Sequence, residues 1–195
     1  MRRHIAVCLS TAAVLAVAAT ASAGLVLDQN QPNYYSSQAM AYFPGTLAQS
    51  FQPGHSNVAG AGIRIHESSA DPTSITIALW SVLPAPGHEA LASGSGLGTP
   101  GQWVDVSWTP VSVSPGETLY LVFTADKLGV SGDINNSYAF GQAYATPSYT
   151  PAVGYDYAFH TYYDNAPTVT PVPGAVLLGA IGLGTAGYLT RRRIA

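Results

Sequence analysis

Apolar and polar residues alternate in short stretches along the middle of the chain, and turn-forming residues separate the stretches. In Asn57–His66, Ala59, Ala61, Ile63 and Ile65 recur at every second position. The same period puts Ile75, Ile77 and Leu79 on one side of Ser74–Trp80, with Thr76 and Trp80 on the other. Gln102–Trp108 divides into Val104, Val106 and Trp108 against Trp103, Asp105 and Ser107, and Thr118–Thr124 aligns Leu119, Leu121 and Phe123. Successive side chains of a strand point to opposite faces, so these segments predict strands with one side in a core. Thr46–Phe51, Ala90–Gly94, Ser137–Tyr144 and Tyr155–Tyr163 are further candidates. Asp71-Pro72, Pro84-Ala85-Pro86-Gly87, Thr99-Pro100-Gly101 and Ser114-Pro115-Gly116 carry the chemistry of turns. No sustained i, i+3, i+4 pattern competes with them in the body of the chain. Some eight short strands predict an all-β domain, an antiparallel β-sandwich of jelly-roll type.

The two ends break the pattern. Met1-Arg2-Arg3-His4 is a basic start, Ile5–Ala19 an uncharged run of 15 residues, and Ala21-Ser22-Ala23 places small residues where a signal peptidase reads them. A cleaved signal helix over 1–23 follows, with Ala21, Ala23 and Gly24 marking the cut. At the other end, Gly174–Thr190 is 17 residues without a charge, and Arg191-Arg192-Arg193 follows it. As a helix it is about 26 Å long, close to the ~30 Å of a hydrocarbon core. The predicted organisation is therefore 1–23 signal peptide, 24–165 sandwich, 166–173 linker with a Pro-containing motif, and 174–195 transmembrane helix with its Arg cluster. The triple Arg belongs on the cytoplasmic side, which leaves the body outside.

Composition sharpens this reading. Only 9% of the 195 residues are charged, against about 25% in an average soluble protein. Five of the seven basic residues sit in the terminal segments, so Arg64 and Lys127 face all ten acids and the body carries −8. A basic face for nucleic acid is excluded on that count. The single cysteine, Cys8, lies in the signal segment, so the mature protein has neither disulfide nor thiol chemistry.

Pro171-Val172-Pro173, the apolar Gly-rich run from Gly174 and the terminal Arg191–Arg193 together resemble the PEP-CTERM sorting signal. Val172 stands where the motif of that family has Glu. The resemblance implies recognition by an exosortase and delivery to the cell envelope or extracellular polymer; an ordinary single-pass anchor accounts for the same residues. Within the body, Leu47–Phe51, Ile75–Trp80, Pro100–Val106 and Leu119–Phe123 occur in an order that resembles carbohydrate-binding-like sandwich modules of bacterial surface proteins. That resemblance implies a fold and brings no catalytic signature.

Candidate chemistry is sparse. His66-Glu67 and His88-Glu89 do not extend to His-Glu-x-x-His, and His55 and His160 stand alone in the sequence, so no metal site is assigned. Asp126, Asp133, Asn135 and Asn136 share an oxygen-rich loop without calcium-loop spacing and read as a solvated turn. Nothing selects a glycosidase pair among the ten carboxylates. Trp80, Trp103 and Tyr120 lie opposite the aliphatic faces of their strands. If those faces belong to one sheet, the three rings form a platform for sugar rings. The expected role is a non-catalytic cell-surface or matrix protein needing no cofactor. Its partners are signal peptidase and exosortase during export, the membrane through the C-terminal helix, and extracellular polysaccharide. A carbohydrate-binding module and a secreted hydrolase are the alternatives.

Overall fold

The computed structural model describes residues 24–39, 46–69, 72–126, 129–145 and 148–165. The signal segment, the sorting motif, the C-terminal helix and the turn residue Asp71 lie outside them. Among the described residues no helix is long and apolar enough to cross a membrane.

The body is all-β and antiparallel throughout. Its strands are β1 (Leu25–Gln31), β2 (Ser36–Ala39), β3 (Thr46–Phe51), β4 (Asn57–Arg64), β5 (Thr73–Trp80), β6 (Ala92–Gly98) and β7 (Trp103–Ser112). After them come β8 (Leu119–Ala125), β9 (Gly129–Asp133), β10 (Ala143–Ala145), β11 (Thr150–Ala152), β12 (Asp156–Tyr157) and β13 (Phe159–Asp164). A four-stranded sheet has the order β1-β13-β4-β7, and a six-stranded sheet the order β11-β10-β3-β8-β5-β6. A small third sheet, β12-β9-β2, touches the first through the Ile65–Val130 bridge.

The two larger sheets share one core. Ile63, Val104, Val106 and Phe159 come from the first, and Phe51, Ile75, Ile77, Leu79, Leu121 and Phe123 from the second. Every inward residue expected on β5, β7 and β8 is in or against that core, including the partly buried Trp108. On β4 the alternation needs a correction. Ala59 is buried, but Val58 joins the core cluster in its place. The pairing jumps from Val58↔Val111 to Gly60↔Ser107, so β7 carries extra residues opposite one position of β4. Trp108 Nε1 donates to Val58 O across this bulge.

Two other expectations are corrected. Of the expected Ser137–Tyr144 strand only Ala143 and Tyr144 pair, in a strand that runs on to Ala145, because Asn136 adopts a left-handed φ of 52° and the chain turns before Gln142. The expected Tyr155–Tyr163 strand divides at Ala158 into β12 and β13, which belong to different sheets. The turns at Thr99-Pro100-Gly101 and Ser114-Pro115-Gly116 form, with Gly101 and Gly116 at φ 72° and 82°.

The sheets approach each other closely at one edge. A Cβ added to Gly94 of β6 would lie 2.8 Å from Val106 Cβ, and one on Gly96 would lie 2.8 Å from Val104 Cγ2. Gly94→Val is therefore expected to cost about 1–3 kcal/mol through overpacking. Urea denaturation checks this, and an unchanged midpoint contradicts the close approach.

Candidate functional site

The outer face of the four-stranded sheet carries a polar and aromatic cluster. On β7, Trp103, Asp105 and Ser107 alternate with the core residues Val104 and Val106. On β13, His160 and Tyr162 alternate with the buried Phe159 and Thr161. Strand β4 runs between them and presents Gly60 and Gly62: Asp105 pairs across to Gly62, which pairs on to His160. With no side chain at Gly62, His160 and Asp105 reach over the backbone and meet. A Cβ there would clash with both His160 Nε2 and Asp105 Oδ1.

Asp105 Oδ1 accepts a short hydrogen bond from His160 Nε2 and a second, of 2.9 Å, from the Tyr162 hydroxyl. That tautomer leaves His160 Nδ1 as an acceptor when the ring is neutral. Burial, with the Asp105 carboxylate as bonded neighbour, pushes the Tyr162 hydroxyl up to about 12, so it remains a donor at ordinary pH. Trp103 stacks on His160 with ring centres 4.5 Å apart and planes 21° apart. Beside this group a shallow depression of about 320 Å³ is lined by Leu25, Asp105, Val106, Ser107 and Tyr162. Leu25 is exposed there, so one side of the depression is apolar. An aromatic plane beside fixed hydroxyl, carboxylate and imidazole groups suits a ring that is apolar on its face and hydroxylated at its rim. A carboxylate-oriented imidazole is also the base half of a nucleophilic triad. Among the described residues, however, no serine or threonine hydroxyl is hydrogen-bonded to His160.

The expected three-ring platform does not form. Trp80 and Tyr120 are direct cross-strand partners on the six-stranded sheet, whereas Trp103 lies on the four-stranded sheet. Their strands pack core to core, so their outer faces point apart. Tyr120 instead meets Tyr144, with ring centres 5.8 Å apart. Burial and then Tyr144 raise the Tyr120 hydroxyl. The Trp80 Nε1 is buried without a partner.

Sequence reading also missed the pairing of the histidines. Beside His160–Asp105, His55 Nδ1 lies 2.8 Å from Asp28 Oδ1, and its ring stacks on Tyr163 with centres 3.6 Å apart. Each pair joins residues more than 25 positions apart, so no local spacing reveals it. In the oxygen-rich loop, Asp133 is buried and its carboxylate accepts from Asn135 N, Asn135 Nδ2 and Ser137 Oγ. The Ser137 bond leads in holding that carboxyl below its ordinary range. Among the described residues no three His, Cys, Asp or Glu side chains converge as a metal site would need.

Comparison with protein families, with curated proteins and with solved structures finds no match to this chain.

Proposed function

We propose that this is an exported, non-catalytic surface protein whose sandwich holds carbohydrate polymer through the outer face of the four-stranded sheet. The observation that carries the reading is the arrangement of Trp103, His160, Asp105 and Tyr162: one indole plane stacked on a group of hydrogen-bonding partners fixed by strand register. Asp105 is engaged by two donors, which suits a positioned acceptor for sugar hydroxyls better than a free catalytic base. The finer topology we assign is a jelly roll. Its support is the order β1-β13-β4-β7 against β3-β8-β5-β6, two four-stranded sets between which the chain crosses repeatedly, with only β5 and β6 consecutive in one sheet.

The export reading rests on the segments at either end. The 1–23 segment serves as the signal peptide, and Pro171-Val172-Pro173 with Gly174–Thr190 and Arg191–Arg193 as a PEP-CTERM-like signal handled by an exosortase. Within the described body Asn165 N donates to Gly24 O, so its first and last residues lie together at the β1–β13 edge.

A glycan array tests the binding reading. The full chain is expected to bind neutral polysaccharide fragments, and Trp103→Ala to weaken that binding about thirtyfold, the loss of a ~2 kcal/mol anchor. Trp80→Ala is expected to leave it unchanged. Equal binding by wild type and Trp103→Ala contradicts the site.

A further inference from the structure

A second cavity lies next to this face, where β4 ends and the small sheet begins. It measures about 170 Å³ and is lined by Tyr34, Tyr35, Ser36, His66, Glu67 and Ser131. At ~30 Å³ per water it has room for about five or six waters, below the ~300 Å³ at which drug-sized pockets begin. Its occupant is therefore a single small ring or less.

The chemistry of the walls narrows the choice. Ser131 is 1% exposed, and among the described residues its Oγ has no hydrogen-bond partner, although a hydroxyl both donates and accepts. A buried hydroxyl left unpaired is costly, so a ligand that supplies its partner relieves that cost. Tyr34 and Tyr35 stand at the rim, Tyr35 with 79% of its surface exposed. They offer amphipathic rings at low entropic cost. An anion is disfavoured. Arg64 already donates from Nη1 to Gly101 O and from Nη2 to Glu67 Oε1, and its guanidinium lies 3.9 Å from the Tyr34 ring centre. One N–H of each terminal nitrogen is thereby engaged, Nε is buried without a partner among the described residues, and the body around the guanidinium is acidic. A neutral polyhydroxylated ring fits the remaining set: hydroxyl, carboxylate, imidazole and phenol rings.

Its position decides what it does. Arg64 pairs directly with Trp103 in the β4–β7 ladder, two residues along β4 from Gly62. His66, in the cavity wall, follows Arg64 by two residues, so the cavity lies beyond the Arg64–Trp103 pair, on the side away from Tyr162. We infer that it is a second sugar subsite on the same strip, so that the protein grips consecutive units within an uncharged glycan chain. This inference rests on the carbohydrate-binding reading above.

The experiment uses the full chain on an array of neutral gluco-, manno- and galacto-oligosaccharides of one to six units. Wild type is expected to bind multi-unit ligands about tenfold better than the single sugar of the same series, the equivalent of one added contact of ordinary strength. Ser131→Val and Tyr35→Ala are each expected to lose that gain while keeping the single-unit signal. Tyr35→Ala alters an exposed rim and so guards against a folding artefact at Ser131. Full length dependence in either variant overturns the subsite and leaves the Trp103 site standing. Binding of none of these sugars by wild type overturns both.

Discussion

Gln49→Leu is expected to destabilise the protein by about 3–5 kcal/mol. Gln49 is completely buried on β3, among apolar neighbours that its strand pattern would otherwise continue. Its Nε2 donates to Asp156 Oδ1 at 2.9 Å, and its Oε1 accepts from Tyr157 N at 2.9 Å. Asp156, also completely buried, takes a second bond from Tyr138 N. One side chain therefore ties β3 to β12 and satisfies a carboxylate and a backbone amide that water cannot reach. Leucine fills the space but takes the donor from Asp156 Oδ1 and this acceptor from Tyr157 N, while Tyr138 N still holds Asp156 Oδ2. At 2–4 °C per kcal/mol for a domain of this size, the melting point falls by about 10 °C. A loss under about 1 kcal/mol contradicts the network.

The same network gives stability a pH dependence of defined sign. Burial is the main cause that raises the Asp156 carboxyl above its ordinary 3.8. Between 3.8 and that raised value the folded state holds more protons than the unfolded, so stability falls as pH rises through the window. Asp133 is shifted the other way, and its contribution is lost as pH falls below 3.8. The fall above 3.8 is therefore assigned to Asp156, and Asp156→Asn is expected to flatten it in denaturation profiles.

Gly62→Val is expected to abolish binding while leaving a folded protein. Its Cβ would occupy the space where His160 Nε2 and Asp105 Oδ1 meet, so the pair must separate and Trp103 lose the ring it stacks on. The stability cost is about 1–3 kcal/mol, as for other overpacking changes. The functional cost is larger, at least about thirtyfold, because the substitution displaces the whole site rather than one contact. Binding at wild-type strength by a folded Gly62→Val protein contradicts the role of the pair.

The period-two pattern made the strands of the core legible, because one buried and one exposed face leave their mark on each residue. Ile75, Ile77, Leu79, Leu119, Leu121 and Phe123 were readable for that reason. Strand β1 was not, since Asp28-Gln29-Asn30-Gln31 breaks the alternation at a sheet edge; there its polar groups serve turns and caps such as Asp28 to Gly54 N. The site was half legible. The outward positions of Trp103 and Asp105 follow from β7 alone, but their meeting with His160 depends on β13 lying two strands away across Gly62. Strand order in a sheet is a long-range fact, and local spacing does not encode it. The same gap made Trp80 and Tyr120 look like companions of Trp103, when they occupy the other sheet.

The most direct test of the account reads the indole N–H resonances of the three tryptophans as a binding glycan is added to the full chain. Each Trp reports a different place: Trp103 the proposed site, Trp80 the outer face of the six-stranded sheet, and Trp108 the bulge, where its N–H is held by Val58 O. The account predicts that the Trp103 resonance moves in step with occupancy while the other two stay fixed. Movement of Trp80 with Trp103 unchanged would contradict it.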